Sequence, residues 1–574
     1  MLKNIIYIIL FFAKEIKVSF IMYTNIILFL IGVKLKKNIH FLDYLKLNEN
    51  YWKKFDTKLS SESKVLITDF VSLPGYTITT SIIGKFVSNI ENCSPCGLVR
   101  DGDIRGPMIM KSFGTKNVFH LDRGSFINRL KFFIKSIKIL NKINDIDEFL
   151  KFKYEKINIG ITVYDHIIRY TGVGSVNKIS FKFYYFLSLA LSTHSYCKNF
   201  FKKNSIHAVI ISELKWIPGS IIFENALLNN CKVYAYGGGT KKIWIRAYSN
   251  ISERFVHRSK FSKKLVDYVL ENMKETALEE SRKILQKKHE GDLSQDELLQ
   301  APKFTAQHFD PKNTKKISKK EICKILGWDD QKPIIGIFNH SFIDGVFEME
   351  WRIFRDHLTW LRKTLRCIRD IKSVNWIVKE HPYAYKENYF SPNLGAKTNV
   401  EKELNEITAD CDHIVSFDKK LNGSSLINIL SAALTCQGSV GLEYACLGIP
   451  VILASDTYFA GLGFTNEPRT KAEYFSHLKN IKNIEKYKLS KEQIDKANIF
   501  FYILYQLSQL DVPLLPDYKE KSSGDKQFWF GLIDNIKKYN HADDYFYKMI
   551  ERQIKDKNRH TIDLELLKYP NLSF

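Results

Sequence analysis

An α/β fold built on two doubly wound sheets, facing one another across a cleft, is what this sequence predicts, on three observations. Short continuous apolar runs such as Lys64-Val-Leu-Ile-Thr-Asp-Phe70 and Lys332-Pro-Ile-Ile-Gly-Ile-Phe338 read as strands buried on both faces. Longer stretches of helical period separate them, so the second half alternates β, α, β, α, β. Polar or glycine-rich clusters follow the strands directly, which is where such sheets bind ligands.

The elements follow in order. Two apolar runs, Ile5 to Ala13 and Val18 to Val33, open the chain and are separated by Lys14, Glu15 and Lys17. The second is short for a bilayer crossing and has no small-residue cleavage site, so neither a spanning helix nor a secretory signal is expected. A segment lying on the inner face of the cytoplasmic membrane, with Lys34, Lys36 and Lys37 near headgroups, is one reading; a buried helix, or residues upstream of a start at Met22, are the others. After residue 55 the first domain opens with the strand at Lys64, the turn Leu73-Pro-Gly75 and a helix over Thr77 to Ile90. Gly97 to Arg100 and Asn117 to Leu121 read as strands, and Phe126 to Leu140, Ile146 to Arg169 and Lys182 to Lys203 as helical. The strand His207 to Ser212 leads into Glu213-Leu-Lys-Trp-Ile-Pro-Gly-Ser220 and a helix ending at Leu228. Lys232 to Tyr236 is the next strand, and Gly237-Gly-Gly239 turns it into a hairpin with Ile243 to Tyr248. The first domain is expected to end near residue 300, with a linker over 301–320.

The second domain, 321–490, starts with the strand at Lys332 and the loop Asn339-His-Ser-Phe-Ile-Asp344. Trp351 to Ile371 reads as a helix and Val374 to Val378 as a strand ending in Lys379-Glu-His-Pro382. His413 to Phe417 is a third strand, and Asn422-Gly-Ser-Ser425 opens a helix. Ala432 to Cys436 then reaches Gln437-Gly-Ser-Val-Gly-Leu-Glu443, a turn and helix start closed by Gly448 and Pro450 before the strand Val451 to Ala454. Residues 491–574 read as a helical extension folding back over both domains.

Composition sets limits. The 574 residues can bury large cores without staples, and the nine cysteines are scattered. Cys93 and Cys96 have no second pair to complete a zinc site, so a reduced, cytoplasmic protein without a structural metal is expected. A net charge of +24 favours anionic partners such as nucleotides, phospholipid surfaces or acidic glycans. No zinc finger or RNP-like motif accompanies it, and nucleic acid is not an expected partner.

The polar clusters suit transfer from a nucleotide-linked donor, because the departing phosphate needs fixed positive groups and N–H dipoles. Lys379, His381, Ser439, the helix start at Val440 and Arg469 supply that set without a metal. The acceptor hydroxyl needs a general base, for which His340, Asp344 and Glu213 are candidates, with Asp101 and Asp103 also open.

The order Glu443, Gly448, Pro450 resembles the donor-binding segment of GT-B glycosyltransferases. Together with Asn339 to Gly345, Asn375 to Pro382, Gly463-Phe-Thr465 and Glu473-Tyr-Phe475, the region 330–480 is similar to the bacterial capsule polysaccharide biosynthesis and surface-carbohydrate transferase group; Leu73 to Tyr76 and Trp216 to Gly219 agree more loosely. The resemblance implies a GT-B fold with two Rossmann-like domains, the acceptor in the first and the donor in the second. It also implies that His381 with Pro382, and Gly438 with Ser439, contact donor phosphate, and that Glu443 holds ribose. Asn339, Lys379, Ser424, Gly441 and Arg469 complete the expected donor-binding set, with His381 and Glu443 expected in a solvent-lined crevice. The expected donor is a CMP- or UDP-linked sugar, with no further cofactor, and the acceptor an oligosaccharide or lipid-linked glycan. Related chains often carry an aspartate before the central turn, where this one has Ala432 and Ala433. A sugar-nucleotide epimerase, a teichoic-acid-type glycerophosphotransferase and a noncatalytic assembly or export partner are the competing readings.

Overall fold

A computed structural model describes residues 2–34, 39–54, 59–122, 124–238, 241–290, 314–381, 399–418, 420–516 and 526–567. Pro382, Lys36, Lys37, Gly239 and the first part of the expected linker lie outside them.

The first sheet contains β1 (Ser60–Asp69), β2 (Cys93–Arg100), β3 (Asn117–Leu121), β4 (Ile206–Ile211), β5 (Lys232–Gly237) and β6 (Lys242–Tyr248). The second contains β7 (Ile334–Phe338), β8 (Asn375–Lys379), β9 (Ile414–Ser416), β10 (Ala432–Thr435) and β11 (Val451–Leu453). A last strand, β12 (Leu510–Asp511), lies in the C-terminal extension and joins the first sheet. The orders are β12-β6-β5-β4-β1-β2-β3 and β11-β10-β7-β8-β9. Every pairing is parallel except β5 with β6 and β6 with β12. The order reverses beside β1 and β4 in one sheet and beside β7 and β10 in the other, and a crevice opens beyond the strand ends at such reversals. The burial of β7 on every residue explains its unbroken apolar run.

The helical stretch expected over Ile146 to Arg169 is two helices, Ile146–Leu150 and Ile159–Thr171. Between them Glu155 and Lys156 take positive φ, which a continuous helix forbids. The helix expected from Trp351 starts at His357, where the Asp356 side chain accepts the Thr359 N–H at 2.7 Å as an N-cap. Strand β12 falls in a stretch that reads as helical, because two residues pairing with an open sheet edge leave no periodic trace. In the last part of the chain, helix Lys491–Tyr502 packs on Val440–Cys446 and on Lys274–His289, and Tyr545–Lys555 packs on Pro74–Ile90.

The two apolar runs at the start form one helix, Leu2–Lys34, laid along the first domain. Phe11 is buried on Phe133, with ring centroids 4.5 Å apart, and Glu15 is buried on Arg129 at 2.6 Å. No helix among the described residues is long and apolar enough to cross a membrane.

Candidate active site

The carboxyl ends of the two sheets meet. Beyond β4 the chain makes a tight loop in which the Glu213 carboxylate accepts the Lys215 N–H at 2.9 Å. A Cβ on Gly219 would stand 2.2 Å from the Glu213 carbonyl oxygen, so the loop closes only with glycine there. The loop aims Lys215 at the second domain, where its Nζ lies 3.5 Å from Asp344 and 3.1 Å from Glu348. Gly345 makes that approach possible, since its φ is +61° and a Cβ would sit 2.8 Å from Lys215 Nζ. Arg258 adds a positive group 3.8 Å from the other Glu348 oxygen, and the His257 Nε2, on an imidazole that burial holds down to about 4 and so neutral, lies 3.8 Å from the same oxygen. Helix Ile159–Thr171 brings Asp165 and His166 to the same face, with the His166 Nδ1 accepting the Ile217 N–H at 3.3 Å. Arg169 of that helix lies 4.5 Å over the Trp216 ring.

On the second domain, Asn339 ties the ends of β7 and β8 together by donating its N–H and Nδ2 to the Lys379 carbonyl, at 3.1 and 3.2 Å. Its Oδ1 is buried without a hydrogen-bond partner. Three imidazoles cluster beyond: the His340 ring centroid is 4.7 Å from that of His357 and 5.6 Å from that of His381. His340 and His357 both direct Nδ1 at the Ser341 carbonyl, at 3.2 and 3.1 Å. A carbonyl only accepts, so each Nδ1 carries the proton and each Nε2 has a lone pair.

The central turn lies alongside. The Gly438 N–H donates to Thr435 Oγ1 at 3.3 Å and Gly441 falls in the first turn of the helix Val440–Cys446. That helix has only seven residues, so its dipole is small and side chains rather than the helix end dominate the turn's electrostatics. Ser439 Oγ donates to Glu443 at 3.2 Å, and Lys288 Nζ reaches the same Glu443 oxygen at 2.9 Å. Lys379 exchanges electrostatic influence with both Glu443 and His381, which joins the turn to the end of β8.

The charges fall into two sets. Burial pulls the Lys379 ammonium down to about 8, against the opposing pull of Glu443 and Glu380. Burial likewise holds His340 and His381 below the ordinary imidazole value and His357 down to about 3, so all three are neutral near pH 7. At the domain interface burial would raise Asp344 and Glu348, yet Lys215 outweighs it, lowering Asp344 and bringing Glu348 to about 2. Burial opposes the charge on Lys215 too, and Asp344 and Glu348 overcome it. Asp165 is different: burial dominates and lifts its carboxyl to about 7.

The expected residues are placed as follows. His340, Asp344, Lys379 and His381 come together, Asn339 braces them, and Glu213 sits across the interface behind Lys215. Glu443 is not in an open crevice: it is 6% exposed and sealed beneath Lys288 and Ser439, so a ribose would have to displace one of them. Ser424 is buried with its hydroxyl given to Asn422 Oδ1 at 2.6 Å, which caps a 3-10 turn. Arg469 lies on the surface, 2.9 Å from Glu467 and 3.9 Å over the Trp351 ring. Asp103 accepts the Gly106 N–H at 3.0 Å at the start of the helix Arg105–Ser112, and Asp101 is exposed nearby. Asp165, Lys215, His257, Lys288, Glu348 and His357 were not singled out by sequence. Asp165-His166 inside an otherwise apolar helix was the one visible signal among them. Among the described residues no group of three or more His, Cys, Asp or Glu could hold a metal ion.

No protein-family model matches the chain, and no curated protein does. Solved structures similar to it include the Thermosulfurimonas dismutans KpsC beta Kdo 2,4 transferase, at 12% identity and TM-score 0.29 over 59% of this chain and 93% of that one. The S. aureus MnaA–UDP structure matches at 10% identity and TM-score 0.25 over 89% of this chain and 100% of that one. The wall teichoic acid polymerase TagF matches at 10% identity and TM-score 0.23 over 88% of this chain and 97% of that one. Likenesses this low in score and identity decide nothing about this chain, whose site stands on its own geometry.

Proposed function

We propose that this chain is a glycosyltransferase of the GT-B kind, moving a sugar from a nucleotide-sugar donor, CMP- or UDP-linked, to a glycan or lipid-linked acceptor. The observation that carries the reading is the convergence of Lys379, His381 and His340 at the ends of adjacent parallel strands, opposite Lys215 of the facing sheet. A departing nucleotide phosphate gathers negative charge, and these groups stabilise it without a metal: Lys379 as a cation and His381 as a neutral N–H donor. His340 is the favoured base, since its Nε2 lone pair is free of proton at neutral pH. Asp344, held ionised by Lys215, stabilises by its charge the imidazolium that forms, while the Ser341 carbonyl orients the ring.

The test is a thermal-shift screen of the full chain against CMP-, UDP-, GDP- and CDP-linked sugars, followed by transfer assays. One nucleotide class should raise the melting temperature, because a ligand that binds only the native state stabilises it. His381→Ala should lower turnover about 100-fold or more with an unchanged melting temperature of the free protein. Stabilisation by none of the donors, or full turnover in the variant, sinks the proposal. Donor consumed without acceptor and returned as an isomer would instead identify an epimerase.

A further inference from the structure

The helix Leu2–Lys34 has 33 residues and is about 50 Å long at 1.5 Å per residue. Its inner face is bound to the first domain. Tyr7 packs on Tyr184 with ring centroids 4.8 Å apart, Phe11 on Phe133, and Arg105 lies 5.3 Å from the Phe29 ring. Two of the three charged residues midway are committed to that face, Glu15 to Arg129 and Tyr185 and Lys14 to the Tyr170 hydroxyl at 2.6 Å, while Lys17 is exposed. The outer face is apolar along its length. Ile5, Ile9, Phe12, Ile16, Phe20, Tyr23, Ile27 and Leu30 recur at spacings of three and four and are all exposed, Ile16 by 69% and Phe20 by 72%. A continuous exposed apolar face of this length is unusual on a protein surrounded by water.

We propose that this face is a monotopic membrane anchor, seated in the headgroup layer of a bilayer containing anionic phospholipid. Three observations select that occupant. The helix does not meet the joint demand of length and apolarity for spanning, and freeing it to do so would strand the buried Glu15–Arg129 pair, so it lies flat. The surface continues onto the neighbouring helix Phe126–Leu140 where the Phe12 and Phe126 rings meet at 4.9 Å, and there Ile127, Lys131, Ile134 and Lys138 are all exposed at spacings of four, three and four. Apolar residues alternating with lysines on one face suit an anionic interface, whose headgroups meet the ammonium groups while the isoleucines enter the acyl boundary. The net charge of +24 also draws the chain to an anionic surface and opposes a second copy.

The test is flotation of the full chain with vesicles of phosphatidylcholine alone or mixed with phosphatidylglycerol. The chain should float with the mixed vesicles, and salt should weaken that binding. Ile16→Asp combined with Phe20→Asp should cut partitioning about tenfold or more, and Lys131→Glu with Lys138→Glu about fivefold per lysine. The altered side chains are exposed, so melting temperatures should hold. Unchanged flotation in the variants, or none by the unaltered chain, overturns the proposal. So does a solution dimer that the Ile16→Asp, Phe20→Asp variant splits, which would make the occupant a second copy.

Discussion

Asp165 shows how burial, rather than residue type, sets a group's behaviour. The carboxyl is 4% exposed and its Oδ1 has no hydrogen-bond partner, so burial raises it from the ordinary 3.8 to about 7. Between those values the folded chain binds a proton that the unfolded chain has released, so stability falls as pH rises through the window and the full cost is present above about 7. Asp165→Asn cannot ionise and removes the cost. Its urea midpoint should exceed that of the unaltered chain at pH 8 by the equivalent of about 1–4 kcal/mol and match it near pH 4; equal midpoints at both would show that the carboxyl ionises without penalty. The histidines act with opposite sign. Held unprotonated by burial, His340, His357 and His381 keep their contribution above about pH 6.5 and lose it as acid protonates the unfolded chain first. Sequence found His340 and His381 because each directly follows a strand. His357 escaped because it sits inside a stretch that reads as ordinary helix, and only the Asp356 cap shows that the helix begins there.

At the level of elements, the parallel strands of both sheets, unlike the antiparallel β12, were legible because central strands buried on both faces must be continuously apolar, as β7 is. What could not be read was which helix reaches which strand end. Helix Lys274–His289 looks like a charged surface helix, yet Lys288 is 5% exposed and lies on Glu443, at the start of Val440–Cys446. Attraction from Lys288 keeps the Glu443 carboxyl below its ordinary value even though burial pushes it up. Removing one member of a buried pair leaves an uncompensated charge, whereas replacing both with apolar groups is often neutral. Lys288→Met should therefore cost about 3–5 kcal/mol, while Lys288→Met combined with Glu443→Leu should recover most of it. Chemical denaturation of the two variants measures this, and a double variant no more stable than the single would locate the loss in packing. The same pair of variants tests whether Glu443 holds ribose, since on that proposal only its loss removes donor affinity.

Across the whole molecule, the two sheets are joined in different ways at different places. Near the extension the contact is apolar: Phe500 lies between Phe261, 5.5 Å away, and Tyr458, 6.2 Å away. Over the candidate site it is polar, with Lys215 on Asp344 and Glu348, Lys260 on Asp456 at 3.2 Å, and Tyr164 and Ser175 on Asp356 at 2.7 Å each. Polar contacts can be exchanged for contacts with water whereas apolar ones cannot, so a separation of the two sheets is expected to begin at the site, with the extension as its pivot. Lys215 is the key to the closed state, since its ammonium reaches both Asp344 and Glu348, and without it Arg258, 3.8 Å from Glu348, is left to offset carboxylates that face one another. Lys215→Met should then favour an open molecule, with a larger radius of gyration by X-ray scattering, and should lower kcat about 100-fold by misplacing the two halves of the site. Donor affinity should change far less, because the Lys379–His381 cluster lies wholly in the second domain. A scattering profile unchanged from that of the unaltered chain, with kcat preserved, would show that Lys215 does not hold the domains together.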